Sequence, residues 1–379
     1  MKRHKLGVQE GFFDYSPRDS SRLKRQIVTE YFDYYMRVMA RDGKTAGYVD
    51  LFAGPGGYGS GEESIPLVIA RQVASDPRLR GSVKLWLNEG NRDHFQTLKS
   101  NIDAVPDIDA LVHKPRVTPH LISDSFAPKL SGMRTPSFIF ADPCGYKGLS
   151  LRLITAALKP YGNDCIFFLN YNRINMKISY DTMNESINDF FEESLADQLR
   201  AEIKSLDSPP ERERVILAAV TGTLERQAGA KCLTFGFRTR EGGGTSHHLV
   251  YATKNVRALI QMKRIYTKAS SDQTDGVGSL DYDPKDATST LPLFSPLEDV
   301  RLRVLHAYSG RTLTFDELVV AEASTTAFTD TAYRNALLDL EEEKRVTMNP
   351  TAENRRFQAG GTRRSLPGKT LIAFPGCEN

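Results

Sequence analysis

The chain has 379 residues, 40% hydrophobic and 26% charged, with a formal net charge of +3. That length accommodates one or two domains, the composition excludes global disorder, and the charge leaves nucleic-acid binding to be argued only from local clusters. No run reaches the apolar length of a membrane span, and the opening MKRHKLGVQEGFFDYS lacks the apolar core of a signal peptide, so the expectation is a cytoplasmic protein. Cys144, Cys165, Cys232 and Cys377 are scattered with no CxxC pair, which argues against a metal signature or a disulfide framework and for reduced thiols.

In chain order, SRLKRQIVTEYFDYYMRVM (21 to 39) predicts a helix, and GYVDLFAGPGGYGSG (47 to 61) follows as an apolar strand, an acid and a glycine-rich turn. Class I methyltransferases use that order to hold S-adenosylmethionine. Val49, Leu51 and Phe52 suit a buried parallel strand, Phe52 adjoins the cofactor turn, and Asp50 stands four residues before Gly54, where its carboxylate can order the turn and meet the ammonium end of a cofactor. Gly54, Gly56 and Gly57 let the backbone approach a ligand closely. Two other readings stay open at this point: Gly54, Gly56 and Gly59 also satisfy the dinucleotide fingerprint GxGxxG, and the segment can be a plain structural turn.

Further strand ends test the turn. VKLWLNEG (83 to 90) predicts a second strand ending at Glu89, placed to accept hydrogen bonds from ribose hydroxyls. The interval from Gly59 to Glu89 exceeds the roughly 20 residues usual in a dinucleotide fold. PHLISDSF (119 to 126) predicts a third strand end at Asp124, a contact for the adenine amino group or else a helix-capping aspartate. SFIFADPCGYKGLS (137 to 150) predicts a fourth, buried strand running into Asp142 and Pro143. That element resembles the D/N-P-P-Y motif of amino methyltransferases, in which an acid and a prolyl carbonyl orient the acceptor while an aromatic ring stacks on it. Tyr146 stands one residue beyond the expected aromatic position, so Asp142, Pro143 and Tyr146 are the acceptor candidates, against a reading in which Asp142 only caps the turn.

DCIFFLNYN (164 to 172) predicts a fifth strand, and the charged, helical stretch from about 176 to 230 an insertion covering the site. KCLTFGFRT (231 to 239) and TSHHLVYATKN (245 to 255) predict a terminal β-hairpin, the feature that separates a methyltransferase sheet from the all-parallel dinucleotide fold. His247 and His248 point to opposite faces of its second strand, one buried and one exposed. NVRALIQMKRIYTKA is expected to close this domain, at residue 268, as an amphipathic helix.

Taken together, DLFAGPGG, the strand ending in NEG, ADPCGYKGLS, FFLNYN and SHHLVYATKN resemble the three-Cys-motif partner proteins, a methyltransferase-like group, over residues 12 to 268. The resemblance implies a Rossmann-like methyltransferase fold and a link to a cysteine-rich, radical-SAM-like partner. Members of that group look like D-P-F-G at the fourth strand, whereas Cys144 stands here in place of the aromatic.

Residues 269 to 296 are polar and punctuated and read as a linker. Beyond it, a helical face formed by Leu297, Val300, Val304 and Tyr308, a capping box from Thr314 to Glu317, a third helix at about 326 to 344, and two strands within RRFQAGGTRRSLPGKTLIAF form the pattern of a winged helix-turn-helix at 297 to 379. Lys344, Arg345, Arg355, Arg356, Arg363, Arg364 and Lys369 face only Glu353 and Glu378 from residue 344 onward. They suggest phosphate contacts, with Thr331, Arg334 and Asn335 aimed at a major groove. A protein-interaction surface is the competing reading, because Asp330, Asp339 and Glu341 to Glu343 dilute the third helix. The whole predicts an S-adenosylmethionine-dependent methyltransferase delivered to nucleic acid, with DNA favoured. Its rivals are a methyltransferase-like adaptor without catalysis and a winged-helix DNA-binding protein that uses the large domain as a ligand sensor.

Overall fold

The computed structural model describes residues 19–143, 148–178, 184–238, 244–271, 273–274, 277–278, 280–283, 296–358 and 362–376. Two compact units divide at Asn255/Val256. The helix expected to close the first domain therefore groups with the second.

In the first unit, α1 (Asp19–Met39) precedes β1 (Ala46–Asp50), α2 (Ile65–Ser75), α3 (Pro77–Arg80), β2 (Val83–Asn88), α4 (Arg92–Asp103), β3 (Arg116–Thr118), α5 (Ala127–Ser131), β4 (Ser137–Ala141), α6 (Leu151–Leu158) and β5 (Asp164–Leu169). Four helices follow, α7 (Tyr171–Ile178), α8 (Asn184–Phe191), α9 (Glu193–Lys204) and α10 (Pro209–Ala228), and then the hairpin strands β6 (Lys231–Arg238) and β7 (Thr245–Thr253). The insertion expected from about 176 to 230 is thus mainly helical over its described residues, with breaks at Glu192 and 205–208.

The seven strands of this unit run in the order β6-β7-β5-β4-β1-β2-β3. β1, β2, β3, β4 and β5 pair in parallel, while β7 pairs antiparallel with both β5 and β6. This is the Rossmann-like sheet of class I methyltransferases, in which the doubly wound order 3-2-1-4-5 is closed by an antiparallel hairpin. It resolves the ambiguity of the glycine fingerprint at the level of fold.

Burial on both faces explains the continuous apolar runs of β1 and β4, all of whose residues are buried. On one face Val49, Ile139, Phe167 and Val250 share a core with Leu153, Phe190, Leu199 and Ile216 of the flanking helices. On the other, Tyr31, Phe32 and Tyr35 of α1 meet Tyr48, Phe138 and Tyr251 of the sheet as tilted or edge-on aromatic pairs. Buried positions 27, 28, 31, 32, 35 and 36 recur at helical spacing, and that stripe is what places α1 against the sheet.

The second unit comprises α11 (Val256–Ala269), short strands β8 (Gln273–Thr274), β9 (Val277–Gly278) and β10 (Asp281–Tyr282), then α12 (Pro296–Ala307), β11 (Thr312–Thr314), α13 (Phe315–Glu322), α14 (Asp330–Glu342), β12 (Thr347–Asn349) and β13 (Leu371–Ala373). β8 and β9 pair antiparallel, so part of the expected linker is hydrogen-bonded. The capping box at Thr314 and Glu317 is present in full. β11, β13 and β12 form a three-stranded antiparallel sheet in that order. Its second strand lies at 347–349, upstream of the segment expected from sequence, and an isolated antiparallel bridge joins Phe357 to Arg364 before β13. The core gathers Val304, Leu318, Tyr333, Leu337 and Ile372.

Candidate functional site

β1 delivers Asp50 to the carboxyl edge of the sheet, with 1% of its surface exposed. Its oxygens accept from the Phe52 N–H at 3.1 Å and the Tyr48 hydroxyl at 3.2 Å. Burial pushes the carboxyl up to about 7, and the negative charges of Asp142 and Glu89 add to the shift against those two hydrogen bonds. Asp50 orders the start of the turn through the Phe52 N–H, with its carboxylate buried.

The turn itself has Gly54 at φ 65° and Gly56 at φ 91°, conformations that side chains rarely adopt. A Cβ on Gly56 would also press on Leu98 at 3.3 Å and Asn101 at 3.4 Å. Gly57 differs: a Cβ there would meet only the Glu62 carbonyl, at an ordinary 3.5 Å. Packing among protein atoms does not by itself require glycine at that position. Phe52 is half-buried beside the core of the helical face.

Glu89 is the hinge between strand and turn. Its carboxylate accepts from Gly54 N–H at 2.8 Å, across 35 residues of chain, and from Asn91 N–H at 2.7 Å. The strand end predicted from NEG is therefore brought onto the predicted glycine turn. Beneath it lies Asn88, 1% exposed, which sequence reading missed. Asn88 Nδ2 donates to the carbonyls of Leu51 (3.1 Å) and His120 (2.9 Å), and Oδ1 accepts from Thr118 Oγ1 (2.8 Å) and His120 N–H (3.1 Å). A fully satisfied amide thus ties the ends of β1, β2 and β3 together. Its one sequence signal is an amide that closes β2 directly before Glu89.

Asp124 does not end a strand. β3 stops at Thr118, and Asp124 opens a short 3₁₀ turn at Asp124–Phe126. Pro119 cannot donate to a ladder, and the backbone turns away after the strand's third residue. The Asp124 carboxylate accepts from Ser150, the N-cap of α6, and lies 3.8 Å from Arg152, so it supports the residue that caps α6.

β4 carries Asp142, half-buried, and buried Pro143 to the same edge as Asp50. Tyr146 and Cys144 lie outside the described residues. The Asp142 carboxylate is ion-paired with Lys24 of α1, whose ammonium sits 5.0 Å from the Phe168 ring centre. Nothing in the spacing of the helix 21 to 39 singled out Lys24. At the next strand Phe168 is 4.4 Å from His247, which stacks on Phe237 at 4.5 Å. Burial, then the charge of Lys24, hold His247 down to about 3, so the ring is neutral. On the opposite face His248 is buried and bonded to Glu213 at 2.8 Å. The two histidines do part to opposite faces, yet neither is exposed.

In the second unit the basic residues are largely spent internally. Arg355 is fully buried, paired with Glu341 and 3.1 Å from Met348 Sδ, so it is a core residue and not a phosphate contact. Arg334 donates to the Leu366 carbonyl and stacks 4.5 Å over Phe315. Arg363 pairs with Asp339 and Glu342, and Arg364 donates to the Arg355 carbonyl at 2.9 Å while lying over Phe357. Acids of α14 attract these arginines more closely than the charge pattern suggested. Arg356, Lys344, Arg345 and Lys369 remain exposed, and Asn335 is half-buried.

No family model matches the chain, and no curated protein matches it. Among the described residues no helix is long and apolar enough to cross a membrane. Solved structures similar to it include a protein of Legionella pneumophila (11% identity, 63% of this chain and 86% of that one, TM-score 0.35). The methyltransferase domain of bacterial CtHen1 matches at 11% identity over 61% of this chain and 99% of that one, with TM-score 0.32. An rRNA methylase of Streptococcus thermophilus matches at 11% identity over 60% and 96%, with TM-score 0.28.

Proposed function

We propose that the first unit is an S-adenosylmethionine-dependent methyltransferase and that the second is a winged helix that brings it to nucleic acid, DNA in preference. The observation that carries this reading is the Glu89 carboxylate on Gly54 N–H: the acid that ends β2 and the glycine turn that follows β1 form one cradle beside Asp142. Glu89 has lone pairs left for ribose hydroxyls, Gly57 leaves room for the ligand's backbone-facing edge, and buried Asp50 stiffens the turn. Asp124, bonded to the α6 cap Ser150, is set aside. The bound donor supplies an electrophilic methyl group; the chain's task is to align an acceptor at Asp142, the Pro143 carbonyl and Tyr146, where proximity and orientation do most of the work. The order helix, strand, two helices and two strands, with those three strands paired in one sheet, supports a winged helix. Its phosphate contacts then fall to Arg345, Arg356 and Lys369, with Asn335 toward the bases.

A second reading has its own support. Glu89 and Asp142, the two carboxylates assigned to ligand, are both engaged within the chain, as a non-catalytic adaptor for a three-Cys-motif, radical-SAM-like partner would allow. Calorimetry with S-adenosylhomocysteine on the wild type and on Glu89→Ala separates the two, followed by labelled methyl transfer to DNA, RNA and protein. Binding by the wild type, weakened at least tenfold in the variant, supports the enzyme. Absence of binding to a folded wild type defeats the cofactor assignment, and tight binding of NAD instead restores the dinucleotide reading. Cofactor-dependent DNA affinity without methyl transfer marks a ligand sensor.

A further inference from the structure

Three cations of the first turns of α1 reach the rim of the cradle. Arg22 pairs with Glu62 at 2.6 Å, and Arg25 donates to the Glu63 carbonyl at 2.6 Å, so both hold the loop that follows the glycine turn. Lys24 instead pairs with Asp142, where the two side chains are 13% and 22% exposed, and packs over Phe168. The site thus assembles carboxylates from three strand ends, Asp50, Glu89 and Asp142, with one lysine directed at the carboxylate nearest the proposed acceptor.

Methyl transfer turns a sulfonium into a neutral thioether, so the ligand loses one positive charge at this spot. A bare Asp142 carboxylate would attract the sulfonium and not the thioether, and that attraction would lower the ground state rather than the transition state. We infer that Lys24 is a charge-balancing and positioning residue, which neutralises Asp142 and thereby sets the relative affinity of the site for the sulfonium donor and its thioether product. The inference rests on the methyltransferase reading of the same cradle. Lys24 acts through Asp142 and needs no contact with the reacting atoms.

Calorimetric affinities for S-adenosylmethionine and S-adenosylhomocysteine test it in wild type, Lys24→Met, Lys24→Arg and Asp142→Asn. Removing the ammonium should raise the donor-to-product affinity ratio about tenfold, which is about 1.4 kcal/mol, with homocysteine-ligand affinity within about twofold of wild type. Lys24→Arg should keep the wild-type ratio. Asp142→Asn, which removes the carboxylate and keeps the ammonium, should lower it. A merely structural role for Lys24 would weaken both ligands together and leave the ratio unchanged; an unchanged ratio in Lys24→Met overturns the inference while leaving the cofactor reading intact. Should Lys24→Met bind neither ligand, the ratio in Asp142→Asn decides in the same way. Failure of the wild type to bind S-adenosylhomocysteine overturns the reading itself, and the inference with it.

Discussion

Asp50 offers the sharpest test of the site's electrostatics. Its carboxyl is buried with two donors, and desolvation raises it from 3.8 to about 7. The folded state therefore binds more protons than the unfolded chain between about pH 4 and 7, and stability falls as pH rises through that window. Integrating the two titrations from pH 5 to pH 8 gives a loss of about 2–3 kcal/mol from this one residue. Asp164, held up at about 6 by burial, adds a smaller loss of the same sign. His247, held down at about 3 from 6.5, acts oppositely: its contribution is present above pH 6.5 and is lost as pH falls. The wild-type profile is a sum of opposing slopes, so the informative quantity is a difference. Asp50→Asn keeps the acceptor for Phe52 N–H and removes the charge. Urea unfolding of both proteins at pH 5, 6, 7 and 8 and constant ionic strength should show the variant gaining about 2–3 kcal/mol on wild type across the range. Parallel profiles, within about 0.5 kcal/mol, would refute the claim that this carboxyl is desolvated at the mouth of the turn.

Arg355→Ala should destabilise the second unit by about 3–5 kcal/mol, because it strands Glu341 and empties a buried site. Arg356→Ala should leave stability within about 0.5 kcal/mol and reduce the salt dependence of DNA binding by about one phosphate contact; an unchanged salt slope would remove Arg356 from the interface. Tyr31→Phe deletes a hydroxyl bonded to Asp164 at 2.6 Å and to Tyr251 at 2.5 Å, and should cost about 1–3 kcal/mol in urea unfolding. Asn88→Leu should cost about 3–5 kcal/mol, since it orphans the Leu51 and His120 carbonyls and the His120 N–H while adding bulk between strand ends; thermal unfolding within a degree or two of wild type would show that the amide is not the tie between those strands.

The residues that announced themselves in sequence did so through local physics. Val49 and Ile139 sit in runs too uniformly apolar for a one-faced strand, Gly54 and Gly56 occupy a turn that side chains disfavour, and Thr314 with Glu317 spells a capping box within four residues. Glu89 was legible because a carboxylate follows directly on an apolar strand. Asp124 misled because a histidine, a leucine and an isoleucine after Pro119 look strand-like in isolation, whereas the ladder had ended at Thr118. Arg355 misled for another reason: composition counts its charge, but only the packed unit shows Glu341 beside it in the core.

What the amino-acid order settled by itself is the alternation of strand, turn and helix and which residue types stand near the strand ends, since both depend on interactions within a few residues. The three-dimensional arrangement decided which of those ends meet. Gly54 and Glu89 are 35 positions apart and Lys24 and Asp142 118 apart, and no periodicity encodes such pairs. They arise because parallel pairing of β1, β2 and β4 stacks the carboxyl ends on one edge, and because the apolar stripe of α1 lays its charged first turn across that edge.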